Sequence, residues 1–91
     1  MITLYSKPMC PYCDMAKNYL DKNEFEYETI NVMENDEART FIMNEGHRTM
    51  PQIYHNGKLL VAGGGQALVR MPPDKVRELI GEVVDVSDFK L

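Results

Sequence analysis

Both cysteines of the chain fall in one short stretch, KPMCPYCDMAK (residues 7–17), with Pro11 and Tyr12 between them. Thiols at this spacing can exchange electrons with a substrate disulfide, supply half of a tetrahedral metal site, or close a small structural loop. A structural staple gains little, because so short a loop hardly restricts the unfolded chain. Zinc needs four ligands, and the remaining candidates, His47 and His55, stand eight positions apart, outside the usual H-x3–5-H spacing. Redox exchange asks only for two thiols within reach of each other, and the spacing meets that need.

The flanking residues refine the chemistry. ITLYS (Ile2 to Ser6) is a short β-branched and aromatic run that reads as a strand, and Lys7-Pro8 ends it. Pro11 then opens a helix that runs to about Asn23, with Met15, Ala16, Tyr19 and Leu20 as its apolar set. With Cys10 at the N-cap, its sulfur faces the free amides of Tyr12 and Cys13, and the positive helix end and Lys7 favour a thiolate. Cys10 is therefore the expected nucleophile. Cys13, one turn further in, is the expected resolving thiol.

The remaining elements supply a frame for this strand, loop and helix. FEYETINV (Phe25 to Val32) is a second strand, parallel to the first if the helix is a crossover. Asn35 or Asp36 caps a second helix with Ala38, Phe41 and Ile42 on one face, ended by Gly46. QIYH and KLLVA flank Asn56-Gly57, the pair that type I′ hairpins prefer. After Gly63-Gly64-Gly65 comes a short apolar piece, QALVRM, broken by Pro72-Pro73. Asp74 then caps a last helix carrying Val76, Leu79, Ile80 and Val83. Residues 84–91 stay unassigned. The order βαβαββα predicts an α/β fold with a four-stranded mixed sheet flanked by helices, and CxxC after the first strand of such a unit reads as a redox motif.

Composition sets outer bounds. The 91 residues suit one domain (1–91), and 44% hydrophobic residues suit a packed core. A formal charge of -4 offers no basic face for nucleic acid. No apolar run approaches the roughly 18 residues of a membrane span, and MITLYSKPMC lacks a secretory apolar region. The expected location is the cytoplasm, where a lasting cysteine pair implies a redox task.

The sequence resembles the glutaredoxins. The residues that carry this are CPYC (Cys10 to Cys13), TMPQIY (Thr49 to Tyr54) and the Gly63-Gly64 pair, in the right order over residues 1 to about 83. The resemblance implies the thioredoxin-like fold and a thiol–disulfide oxidoreductase that acts as a monomer, with glutathione as reducing co-substrate and no bound cofactor or metal. It implies that Pro51 is cis and lies beside the cysteines, with the Met50 backbone pairing with the cysteinyl backbone of glutathione. Lys7, Tyr12 and Arg39 would flank its glycyl end, and Thr49, Gly64, Gly65 and Gln66 complete the implied contacts. Arg39 and Arg48 are residues that more often serve as solvated surface charges. Met9 and Met50 would form an apolar rim for protein disulfide substrates, ribonucleotide reductase among the candidates.

One departure stands out. Many glutaredoxins place an acidic residue soon after Gly-Gly, whereas this chain reads Gly65-Gln66-Ala67. Gln66 can hydrogen-bond but gives an ammonium no charge partner, although backbone amides at the start of QALVRM could still hold a carboxylate. The departure keeps a second reading open, a glutaredoxin-like electron donor reduced by thioredoxin reductase. An iron–sulfur cluster carrier, or a module that keeps the fold as a binding surface, fits two intact thiols less well.

Overall fold

The computed structural model describes residues 1–81. The two strands that read as parallel are so: β1 (Ile2–Ser6) pairs with β2 (Tyr27–Asn31) from Ile2 opposite Tyr27 to Ser6 opposite Asn31. Between them α1 (Pro11–Lys22) crosses over, capped by Cys10 with Pro11 at the first helical position. The second strand is shorter than the run 25–32, because Phe25 turns into the core before pairing begins. Its backbone N–H donates to the Leu20 carbonyl at 2.9 Å and so leaves the strand ladder.

α2 (Asp36–Asn44) starts at Asn35, whose Oδ1 accepts from the Ala38 N–H at 2.9 Å. It stops at Gly46, which takes a φ of 86° while the His47 N–H returns to the Ile42 carbonyl. β3 (Gln52–His55) and β4 (Lys58–Val61) form the antiparallel hairpin, with Asn56 and Gly57 both at positive φ. The sheet order is β2-β1-β3-β4, with β3 antiparallel to β1.

The last helical region is two short helices, α3 (Gly64–Arg70) and α4 (Pro73–Leu79), parted at Met71 and Pro72. Asp74 does not cap α4, contrary to expectation. Pro72 holds the cap position and Pro73 the first turn, so Asp74 lies inside the helix and pairs with Arg77 at 3.0 Å. Leu79 also leaves the expected apolar face, with 45% of its surface exposed, while Val76 is buried. Val83 and residues 84–91 lie outside the described residues.

Helices cover both faces of the sheet. On one, Ile2, Leu4 and Ile53 pack with Ala16 and Leu20 of α1, Leu68 of α3 and Val76 of α4. On the other, Val32 and Tyr54 pack with Ala38 and Ile42 of α2. Aromatic edges tighten this side, Tyr54 meeting Tyr5 and Phe41 at centroid distances of 5.5 and 5.3 Å. The sheet is therefore packed on both faces, and the loops after β1 and before β3 meet at one end of it.

Candidate active site

The loop after β1 delivers Cys10 to the first turn of α1. Met9, in a left-handed conformation with φ 56°, projects almost wholly into solvent (98% exposed). Cys10 and Cys13 are joined as a disulfide with their Cα atoms 5.2 Å apart. The Cys13 backbone N–H donates to Cys10 Sγ at 3.1 Å, one of the orphan donors that every helix start leaves free. Cys13 lies deeper than Cys10, at 1% exposure against 7%, because it falls on the core-facing side of α1 with Ala16 and Leu20. The pair has an inner and an outer sulfur, as the spacing predicts.

The loop before β3 approaches from the other side. The Met50–Pro51 peptide bond is cis, and the Met50 carbonyl oxygen lies 3.7 Å from Cys10 Sγ. Gln52, buried at the start of β3, donates its Nε2–H to the Thr49 carbonyl at 2.8 Å and ties the turn together. Sequence reasoning gave Gln52 no role; a polar residue at a core-facing strand position was the available signal.

The glycine loop closes the site. An added Cβ at Gly65 would stand 2.7 Å from the Tyr12 carbonyl oxygen and 3.1 Å from Pro51 Cγ. Only a residue without a side chain lets α3 come this near to both segments. Tyr12, Thr49, Met50, Pro51, Gly63–Gly65 and Gln66 thereby line one open groove of about 220 Å³. The Gln66 Nε2–H donates to the Tyr12 hydroxyl at 2.9 Å.

Seven predicted contact residues, Tyr12, Thr49, Met50, Pro51, Gly64, Gly65 and Gln66, thus share this groove. Lys7 is exposed on the loop before Cys10 and does not line it. Arg39 lies on α2, paired with Asp36 at 2.7 Å, and is likewise outside it. His47 serves elsewhere: its Nε2 lies 2.8 Å from the buried Tyr54 hydroxyl, which also donates to Glu45 at 3.3 Å. Burial first, and the Glu45 carboxylate second, push the Tyr54 hydroxyl up to about 12. Among the described residues, no group of three or more His, Cys, Asp or Glu side chains could hold a metal ion. Likewise no described helix is long and apolar enough to cross a membrane.

A mixed sheet with a disulfide between cysteines three positions apart, at the start of its first crossover helix, defines a thioredoxin-like dithiol oxidoreductase. The glutaredoxin family model matches residues 2–60, and the chain belongs to that family. Glutaredoxin 1 of Rickettsia prowazekii is 41% identical over 56 residues, 58% of this chain and 59% of that one. The glutaredoxin-like protein NrdH of Lactococcus lactis is 36% identical over 53 residues, 58% of this chain and 74% of that one. Among solved structures, the glutaredoxin of Brucella melitensis superposes with a TM-score of 0.69 at 27% identity, covering 90% of this chain and 89% of that one. A buckwheat glutaredoxin–glutathione complex gives 0.62 at 25% identity, covering 92% and 73%. The protein is accordingly a glutaredoxin-type thiol–disulfide oxidoreductase with a redox-active cysteine pair.

Proposed function

We propose that the chain reduces protein disulfides and glutathione mixed disulfides with glutathione as electron source, as a cytoplasmic monomer that needs no bound cofactor. The observation that carries this reading is the groove beside Cys10, into which the cis-proline loop, the first turn of α1 and the glycine loop all open. In the reduced protein the Cys13 N–H, 3.1 Å from Cys10 Sγ, favours a thiolate there.

That thiolate attacks a substrate disulfide. A bond forms from Cys10 to one substrate sulfur, the old S–S bond breaks, and the other sulfur leaves as a thiolate that takes up a proton. Cys13, deprotonated, then attacks Cys10 and expels the bound sulfur, leaving the internal disulfide. Two glutathiones return the two electrons and leave as glutathione disulfide. With a glutathionylated protein, Cys10 takes the glutathionyl sulfur and a second glutathione releases it. Met50 offers its backbone to the cysteinyl part of the tripeptide, in the manner of an added strand. Tyr12, Thr49, Pro51, Gly64, Gly65 and Gln66 form the walls, while Lys7 and Arg39 act from outside them on the glycyl carboxylate.

A second reading rests on the groove's lining, which carries no charged side chain and has Gln66 where many glutaredoxins carry an acid. Together with the similarity to a protein named NrdH, it favours an electron donor to ribonucleotide reductase that is itself reduced by thioredoxin reductase. The deciding experiment is turnover of a mixed disulfide of glutathione and a small thiol, coupled to glutathione reductase and NADPH. Native activity that Cys10→Ser abolishes and Cys13→Ser retains supports the glutathione route. Inactivity there, with reduction by thioredoxin reductase, replaces it with the second.

A further inference from the structure

The connection from α2 to β3 carries Met50 to the cysteines, and its anchorage lies away from the groove. Along residues 45–50 only His47 and Met50 are half-buried, the others being exposed. Both of these side chains lead to Tyr54 of β3. Met50 packs against the buried cluster that holds Tyr54, and His47 sets its Nε2 2.8 Å from the Tyr54 hydroxyl. That hydroxyl has a single proton, which it donates to Glu45 at 3.3 Å, so Nε2 must supply the hydrogen of the His47 bond. One buried phenol thus fastens the connection at Glu45 and His47, while Gln52 fastens it at Thr49. Just past these ties the Met50 carbonyl oxygen stands 3.7 Å from Cys10 Sγ.

Two backbone groups act on that sulfur in opposite senses. In the reduced protein the Cys13 N–H, at 3.1 Å, favours a thiolate, whereas the Met50 carbonyl accepts from the S–H and turns its negative end toward the charged form. The balance depends on where the connection holds the carbonyl. We propose that Tyr54 and His47 are positioning residues, which fix the Met50 carbonyl against Cys10 and so hold down its thiolate fraction. They act through Met50, as side chains behind a site fix the groups in front of them. The inference needs only the cysteine pair, whatever its source of electrons.

Alkylation of the reduced protein by iodoacetamide across a range of pH tests it, with the label located on Cys10 by peptide mass. Tyr54→Phe keeps the ring in the core and frees the connection. Its Cys10 profile should move to lower pH by about 0.3–0.5 unit, a two- to threefold gain in thiolate at a given pH. His47→Leu should move it the same way, and the double variant no further than either, because both cut one tie. His47→Gln, which returns an N–H near the Nε2 position, should restore the native profile. Lys7, Asp14 and Arg48, the charged residues on the segments that meet at Cys10, are the same in every variant. Loss of an imidazole charge would act the opposite way and raise the midpoint. A merely structural role for Tyr54 and His47 would lower the melting temperature and leave the profile in place. An unmoved or raised profile in Tyr54→Phe overturns the inference, and so do additive shifts in the double variant or failure of His47→Gln to restore the native curve. If His47→Leu does not fold, Tyr54→Phe decides alone.

Discussion

Gly65→Ala sets two physical effects against each other with opposite signs. In an ordinary helix, alanine in place of glycine stabilises by about 0.5–1 kcal/mol, since glycine has more backbone freedom to lose. Here the added Cβ meets the Tyr12 carbonyl oxygen at 2.7 Å, its carbon at 3.3 Å and Pro51 Cγ at 3.1 Å. Ordinary carbon contacts lie near about 3.5–4.0 Å, so α3 must retreat by several tenths of an ångström. The opposing atoms are backbone and a proline ring, neither of which can rotate aside. Overpacking of this kind costs about 1–3 kcal/mol, and because Gly65 is only the second residue of α3, the propensity gain falls at its small end. The net expectation is a loss of about 1–2 kcal/mol.

For a domain of this size each kcal/mol moves the midpoint by about 4–8 °C, so the melt should fall by about 4–16 °C. Urea denaturation of the oxidised protein gives the same quantity at fixed temperature. The clash also presses on the helix turn whose Cys13 N–H faces Cys10 Sγ, so alkylation of Cys10 in the reduced variant should slow near neutral pH. A variant as stable as the native chain or more so, with unchanged alkylation, would refute the close approach of α3 to the cysteine turn.

Three further outcomes concern the frame. Asn35→Ala removes the acceptor for the Ala38 N–H and should cost about 1 kcal/mol in urea denaturation, with Asn35→Asp restoring most of it. Arg77 sets its guanidinium 5.2 Å from the Phe25 ring centroid and donates to the Asn23 carbonyl at 3.4 Å; Arg77→Ala should lower stability by about 0.5–1.5 kcal/mol, read by thermal melts. Tyr54, raised from 10.0 to about 12, holds its proton in the folded chain where the unfolded chain has lost it. Its contribution is therefore complete below pH 10 and is lost between about pH 10 and 12, on the order of 2–3 kcal/mol. Denaturation free energies across that range should fall more steeply for the native chain than for Tyr54→Phe, and parallel curves would sink the assignment.

The fold was legible where a local signal agreed with the pairing it served. Asn56-Gly57 marks the hairpin because both φ angles are positive there, and Pro11 marks a helix start where its missing N–H costs nothing. The reading failed where two local signals competed. Asp74 is a good capping residue, yet Pro72 and Pro73 had already begun the helix. Phe25 fits a strand by composition, but its backbone is claimed by the end of α1.

The same distinction separates the parts of the site. Cys10, Pro11 and Cys13 act on one another within a single helix turn, so their spacing alone carries the inner and outer placement of the sulfurs. The groove is different in kind, since it exists only because Gly65 approaches Tyr12 and Pro51 and because Gln66 reaches Tyr12 across 54 positions. No local pattern encodes such contacts. A family motif marks their positions, but it assumes the usual residues at each. Where the chain departs, at Gln66, the motif foretold a missing charge, and the folded chain adds what stands in its place: a hydrogen bond to the tyrosine between the two thiols.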